Sequence, residues 1–167
     1  MKPFHECMDE YRAQMEQGAI RVAYRGLMEY IMELRGHFQK EYPGYSVPGS
    51  IYQGFMDMTY FSIVPGSFKS RKLKCAIVFL HDSCRFEAWL AGTNKQVQAY
   101  YLEVFRKSGW NRYRMPATIR GADSILEYPL TEHPDFHNLP GLTSQIVQGT
   151  IEFISDIENF LASHTGM

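Results

Sequence analysis

Cysteine, tryptophan and long apolar runs are all scarce in this 167-residue chain, and each scarcity narrows the reading. Cys7, Cys75 and Cys84 are odd in number and lack CxxC spacing, which argues against a disulfide framework and for reduced thiols in a cytoplasmic protein. A bilayer-spanning helix needs roughly 20 consecutive apolar residues; no such run occurs, so no membrane partner is expected. Met1 to Glu16 is amphipathic and mixed in charge, unlike a secretory leader. GxGxxG, a Walker A run, HExxH and GxSxG are all missing, so no cofactor is implied and the common nucleotide, zinc-protease and serine-hydrolase signatures drop out. The last 47 residues hold no Lys or Arg.

What is present suits one domain over residues 1–167, because 45% hydrophobic and 14% aromatic content can build a core. All 17 basic residues and 11 of the 18 acids lie at or before Arg120; the other 7 acids lie after it. Nine of the 17 basic residues gather in two segments, 69–74 and 106–120. An acidic tail folded against this basic body would balance the charges internally.

Apolar spacing predicts a short helix over 4–16 (Phe4, Met8, Tyr11, Met15) and a longer one from Ala19 to Glu41, stopped by Pro43-Gly44. The two are expected to pack as an antiparallel pair. Aromatic and β-branched residues predict a strand from Tyr52 to Val64 that includes Asp57. Alternation then predicts a hairpin, with Leu73, Cys75, Ile77 and Phe79 on one arm and Phe86, Ala88 and Leu90 on the other, joined at His81-Asp82-Ser83. Thr93 and Gln96 have capping-box spacing for a helix to about Lys107, with Val97, Tyr101, Val104 and Phe105 inward and Gly109 as its stop. Pro116 and Gly121 mark a loop. A fourth strand over Ser124–Leu130 belongs at an edge because Pro129 cannot donate to a ladder. A last helix runs from about Asn138 to Ala162. The order α-α-β-β-β-α-β-α with short strand connections predicts an α+β fold: an antiparallel sheet of about four strands with helices packed on one face.

Asp57 and Glu87, acids on two strands, are the pair that could hold a divalent cation for phosphodiester chemistry. Here the chain faintly resembles the PD-(D/E)xK nuclease-like superfamily, but Trp89 stands where that family has its lysine. His133, Asp135 and His137 alternate as metal-capable side chains without a further ligand, so no metal site is assigned. Cys84 beside His81 falls in a turn, away from any oxyanion nest. Arg106, Lys107, Arg112 and Arg114 interleave with Trp110 and Tyr113, the composition of a nucleic-acid surface. Gly54, Tyr60, Trp89, Tyr100, Tyr101 and the methionines at 8, 15, 28, 32, 56 and 58 suit either an adaptable pocket or partner groove or a helix-on-sheet core.

Taken whole, the chain resembles an uncharacterised family of small bacterial cytosolic proteins, a domain of unknown function. The resemblance is carried by Arg25-Gly-Leu-Met-Glu-Tyr30, by Tyr52 to Phe61 and by Arg85 to Gln98, and spans about Met8 to Leu161. It implies a soluble single-domain protein and transfers no activity. The expected function is a non-catalytic ligand-binding or interaction module that forms a homodimer. Its ligand-facing residues would be Asp57, Arg85, Glu87, Trp89, Asn94 and Lys95, and the helix start at Asn94 and Lys95 favours a small anionic ligand. The alternatives are a metal-dependent nuclease-like enzyme and a nucleic-acid binder using the two basic segments.

Overall fold

The computed structural model describes residues 1–116 and 123–164, so Arg120 and Gly121 of the second basic segment and its loop lie outside the described residues. The chain divides into two compact units, Met1–Gly36 and His37–Met167.

The first unit holds α1 (Phe4–Gln17) and most of α2 (Ala19–Glu41). Both helices form where the apolar spacing places them, and Gly18 between them is left-handed, φ +82°. The expected antiparallel pairing fails. An antiparallel helix pair needs a loop of roughly 2–5 residues; here Gly18 is the entire connection, and no side chain of α1 is buried.

The second unit carries β1 (Met58–Ile63), a single helical turn α3 (Gly66–Lys69), β2 (Leu73–Leu80), β3 (Arg85–Gly92), α4 (Lys95–Ser108), β4 (Leu126–Thr131) and α5 (Leu139–His164). The four strands form an antiparallel sheet in the order β1-β2-β3-β4. This is the expected α+β arrangement, with α3 as a brief addition between the first two strands. Pro129 does lie on an edge strand. It faces Glu87 where the β3–β4 register shifts, so the missing N–H falls at an irregular point of the ladder.

Paired residues share a face. Ile63, Cys75, Leu90 and Leu126 form one row, and Phe61, Ile77, Ala88 and Tyr128 the next. This face is the core: α4 packs on β3, and α5 on β4 and β3. Phe153 of α5 stacks on Tyr128, and Phe38 near the end of α2 meets Phe61 at 6.1 Å. Leu102, rather than Val97 or Val104, joins Tyr101 and Phe105 as the buried residues of α4.

Both sheet edges are partly masked. Ser46 and Tyr52 bridge to Val64 and Tyr60 along β1, and Arg114 bridges to Glu127 along β4. Such cover blunts the unpaired backbone groups of an edge. The expected strand from Tyr52 to Val64 is therefore two pieces. Gly54 and Met56 are left-handed (φ +76° and +66°), so the chain reverses and Tyr52 pairs with Tyr60 across the turn. A Cβ on Gly54 would lie 2.0 Å from the Met58 carbonyl oxygen, so only glycine fits. Asp57 lies in this turn, one residue before β1.

Candidate functional site

The other face of the sheet is built from the alternate residues of the same strands. At the middle of β2 these are small, Ala76 and Val78, while β1 supplies Tyr60 and β3 supplies Trp89. A strand of small residues between two strands carrying large rings makes a trough about two strand spacings wide, about 10 Å. Its volume is about 390 Å³, and Tyr52, Asp57, Met58, Lys74, Ala91, Gly92 and Asp123 complete the lining.

The Trp89 wall is fixed from below. Glu87, two residues earlier on the same face, is 0% exposed. Its Oε2 accepts the Trp89 indole N–H at 2.6 Å. Its Oε1 lies 2.7 Å from Arg85 Nη2 and 3.4 Å from Arg114 Nη2. A carboxylate sealed from water would be strongly destabilising alone; two guanidinium groups and the indole donor offset that. Arg114 is aimed by its bridge to Glu127, whose side chain it also binds, and Ser124 donates to the other Glu127 oxygen at 2.6 Å. Two acids, two arginines and a hydroxyl thus hold a half-buried indole in one orientation.

At the opposite end, Asp57 accepts the Phe55 N–H at 2.8 Å. The Phe55 and Met58 N–H groups hold its carboxyl below the ordinary range. Burial raises the Tyr60 hydroxyl, with added repulsion from Tyr52 and Asp123. His81 Nε2 contacts Thr59 Oγ1 at 2.8 Å, and burial pulls the imidazole below its ordinary value despite the opposing pull of Asp57.

The sequence-derived ligand set is therefore split. Asp57 and Trp89 line the trough, whereas Arg85 and Glu87 stand behind the Trp89 wall. Asn94, not Thr93, is the N-cap of α4, its Oδ1 accepting the Val97 N–H at 2.9 Å. Lys95 begins the helix, exposed. A separate open cleft of about 460 Å³ beside that first turn is lined by Arg71, Lys72, Gln96, Val97, Tyr100 and Tyr101. Tyr60 and Trp89 thus belong to one concavity, and Tyr100 and Tyr101 to another.

Both oxygens of Glu87 are occupied and away from solvent. Asp135 instead accepts the His137 N–H as a turn residue. Among the described residues no group of three or more His, Cys, Asp or Glu is placed to hold a metal ion. The four basic candidates all meet carboxylates: Arg106 and Lys107 pair with Glu103, Arg112 with Glu152 and Asp156, and Arg114 with Glu87 and Glu127. The Arg112 pairs realise part of the expected acidic-tail compensation, and Tyr113 donates to the same Asp156. All three cysteines are free, with Cys75 buried and Cys7 and Cys84 exposed.

The family model for a domain of unknown function, DUF7000, matches residues 4–161. The chain belongs to the DUF7000 family. Its matched span takes in α1 and every element of the sheet, so the trough and its supports are parts of the DUF7000 domain. No curated protein and no solved structure matches the chain. No helix among the described residues of this DUF7000 chain is long and apolar enough to cross a membrane.

Residues missed by sequence reasoning are Tyr52, Lys74 and Asp123 on the trough lining and Arg114 as a support. A readable signal existed for the Glu87–Trp89 pair alone, since i and i+2 on a strand share a face.

Proposed function

We propose that this domain is a non-catalytic cytoplasmic module, working as a homodimer, that binds a small planar ligand in the trough between Tyr60 and Trp89. One observation carries the reading: a fully buried carboxylate, Glu87, is paired with two arginines and used to orient a half-buried tryptophan ring that lines an open concavity. Hydrophobic packing alone has no need of that network.

The lining sets the ligand's chemistry. Two carboxylates, Asp57 and Asp123, and one ammonium, Lys74, surround three electron-rich rings. Rings favour a neighbouring cation, and the acids outnumber the base. A zwitterionic or cationic aromatic molecule therefore fits the trough better than an anion. The anionic ligand expected at the start of α4 would belong to the cleft at Arg71 and Lys72 instead. The nuclease-like reading loses Glu87 as the partner of Asp57, because both Glu87 oxygens are engaged by Trp89, Arg85 and Arg114, and the nucleic-acid reading lacks unpaired cations at Arg106, Lys107, Arg112 and Arg114.

Fluorescence titration tests this with Trp110→Phe as background, so that Trp89 reports alone. Phenylethylamine, phenylalanine and phenylacetate share a ring and differ in charge. The amine and the amino acid are expected to shift Trp89 emission at concentrations at least about tenfold below those of phenylacetate, a preference of about 1.4 kcal/mol. In calorimetry, Trp89→Ala should abolish the heat of binding without unfolding the chain. Equal, unsaturating responses to all three probes would reject the trough as a ligand site.

A further inference from the structure

The two basic segments differ in what they face. Arg106, Lys107, Arg112 and Arg114 are held by carboxylates, whereas Lys69, Arg71, Lys72 and Lys74 pair with no carboxylate among the described residues. A cation that no acid neutralises keeps its donors for an anion. Of these four, Arg71 and Lys72 line the open cleft of about 460 Å³ beside α4, while Lys74 lines the trough.

The backbone places both cations. Arg71 donates its N–H to the Phe68 carbonyl at 3.1 Å, and Lys72 donates to the Lys69 carbonyl at 3.2 Å. The Lys72 carbonyl in turn accepts the Thr93 N–H at 2.9 Å, which ties this turn to the approach to α4. Lys72 is thereby left-handed, φ +56°. Glycine adopts that conformation freely and a side chain does so at a cost. A lysine stands there all the same, exposed on the cleft.

Rings complete the lining. Tyr101 is 7% exposed and meets Tyr100 edge to face at 5.0 Å, and Tyr100 is 58% exposed. Burial pushes the Tyr101 hydroxyl up and Arg71 opposes this, so the guanidinium sits close to the rings. An open ring beside unneutralised cations suits a ligand with a π-face and a phosphate. Two cations serve one phosphate group. A nucleic-acid strand needs a row of them, and the second basic segment, which could extend the row, is neutralised.

We propose that this cleft binds a nucleoside monophosphate, with its phosphate on Arg71 and Lys72 and its base stacked on Tyr100. Its volume lies within the roughly 300–1,000 Å³ of small-molecule sites. The site is separate from the trough, and Trp89→Ala leaves it intact, so either reading can fail alone.

Calorimetry of the full chain with adenosine 5′-monophosphate, adenosine and inorganic phosphate is the test. The nucleotide is expected to bind at least about tenfold more tightly than either fragment. Lys72→Gly should lose at least about tenfold in nucleotide affinity while unfolding at no lower temperature than wild type, because glycine relieves the left-handed backbone. Tyr100→Ala, at an exposed position, should bring the nucleotide down to the affinity of inorganic phosphate. The proposal is overturned if the nucleotide gives no saturable heat, if either fragment binds as tightly as the nucleotide, or if Lys72→Gly and Tyr100→Ala bind it as wild type does. An oligothymidylate that binds more tightly than the nucleotide would also overturn it, reassigning the cleft to single-stranded nucleic acid.

Discussion

The two faces of the sheet are made from alternate residues of the same four strands, yet they are held by different chemistry. Under the helices, Phe61, Ile77, Phe79, Phe86, Ala88 and Leu90 are buried and carry no charge. On the trough side, Tyr60 and Trp89 stand with the paired charges of Arg85 and Glu87 and with Lys74 around small residues. A one-residue step along a strand separates a position that fixes the fold from one that shapes a surface. The first face is stabilised by non-directional burial; the second depends on a few directed bonds that converge on Glu87. Mutations should separate the two faces by kind of damage as well as by size.

The largest effect belongs to the covered face. Phe86 is fully buried and lies 4.9 Å, ring to ring, from Phe79. Phe86→Ala should lower unfolding free energy by about 3–5 kcal/mol, since it leaves a ring-sized cavity in close-packed surroundings. Chemical denaturation would measure this as a lower midpoint with little change in slope. Emission of Trp89, on the other face, should keep its folded-state wavelength below the transition. A loss under about 1 kcal/mol would mean that this face is packed more loosely than its burial indicates.

Next comes Glu87→Ala. Removing one partner of a buried ion pair can reach about 3–5 kcal/mol. Here the orphaned cations can turn to water, because the Arg85 and Arg114 side chains are 26 and 54% exposed. Arg114 also keeps Glu127. The expected loss is therefore smaller, about 2 kcal/mol, the scale of a charge-assisted hydrogen bond. Its distinctive mark is spectroscopic: with the indole N–H released, Trp89 should emit more like an exposed tryptophan and lose anisotropy before any unfolding. Glu87→Gln, which keeps an acceptor oxygen for the indole, should restore most of that signal and little of the stability.

This contrast also explains what could be read from the sequence. The β2–β3 hairpin was legible because period-two alternation and a polar turn are local signals that tertiary packing reinforces. The ends of α2 and α4 were legible for the same reason, through Pro43 and Gly109. The turn at 53–57 was misread as strand because Tyr52, Phe55 and Tyr60 have strong strand propensity, while the left-handed Met56 has no compositional signature. The Asn94 cap was displaced by one residue because Thr93 and Gln96 offered a plausible motif beside it. Trp89 and Asp57 could be nominated one at a time. Tyr52, Lys74 and Asp123 reach the trough only through register and chain reversal, which single-sequence patterns do not encode. Arg114 is subtler still: its role follows from a two-residue bridge to Glu127, made from a segment with no periodicity.

The smallest expected effect lies where the two faces meet. His81 follows β2, donates its backbone N–H to the Asp57 carbonyl, and sets its ring edge-on to Phe79 at 5.1 Å. Thr59 Oγ1 donates to the Gln53 carbonyl, so that hydroxyl accepts from His81 Nε2–H, and a second proton has to enter at Nδ1. Burial disfavours the resulting imidazolium and lowers the folded-state pKa below the ordinary 6.5; Asp57 opposes this. Between the folded value and 6.5 the unfolded chain therefore binds more protons, and stability must rise with pH across that window. The contribution is present above pH 6.5 and is lost as pH falls through the folded-state value. Thermal midpoints measured downward from pH 7.5 should fall more steeply in wild type than in His81→Gln, which keeps a donor for Thr59 and has no proton to gain. Asp57→Asn should steepen the wild-type slope, because the carboxylate that favours imidazolium is gone. Parallel curves for wild type and His81→Gln would show that the imidazole is equally solvated in both states, and that the boundary between the two faces is open to water.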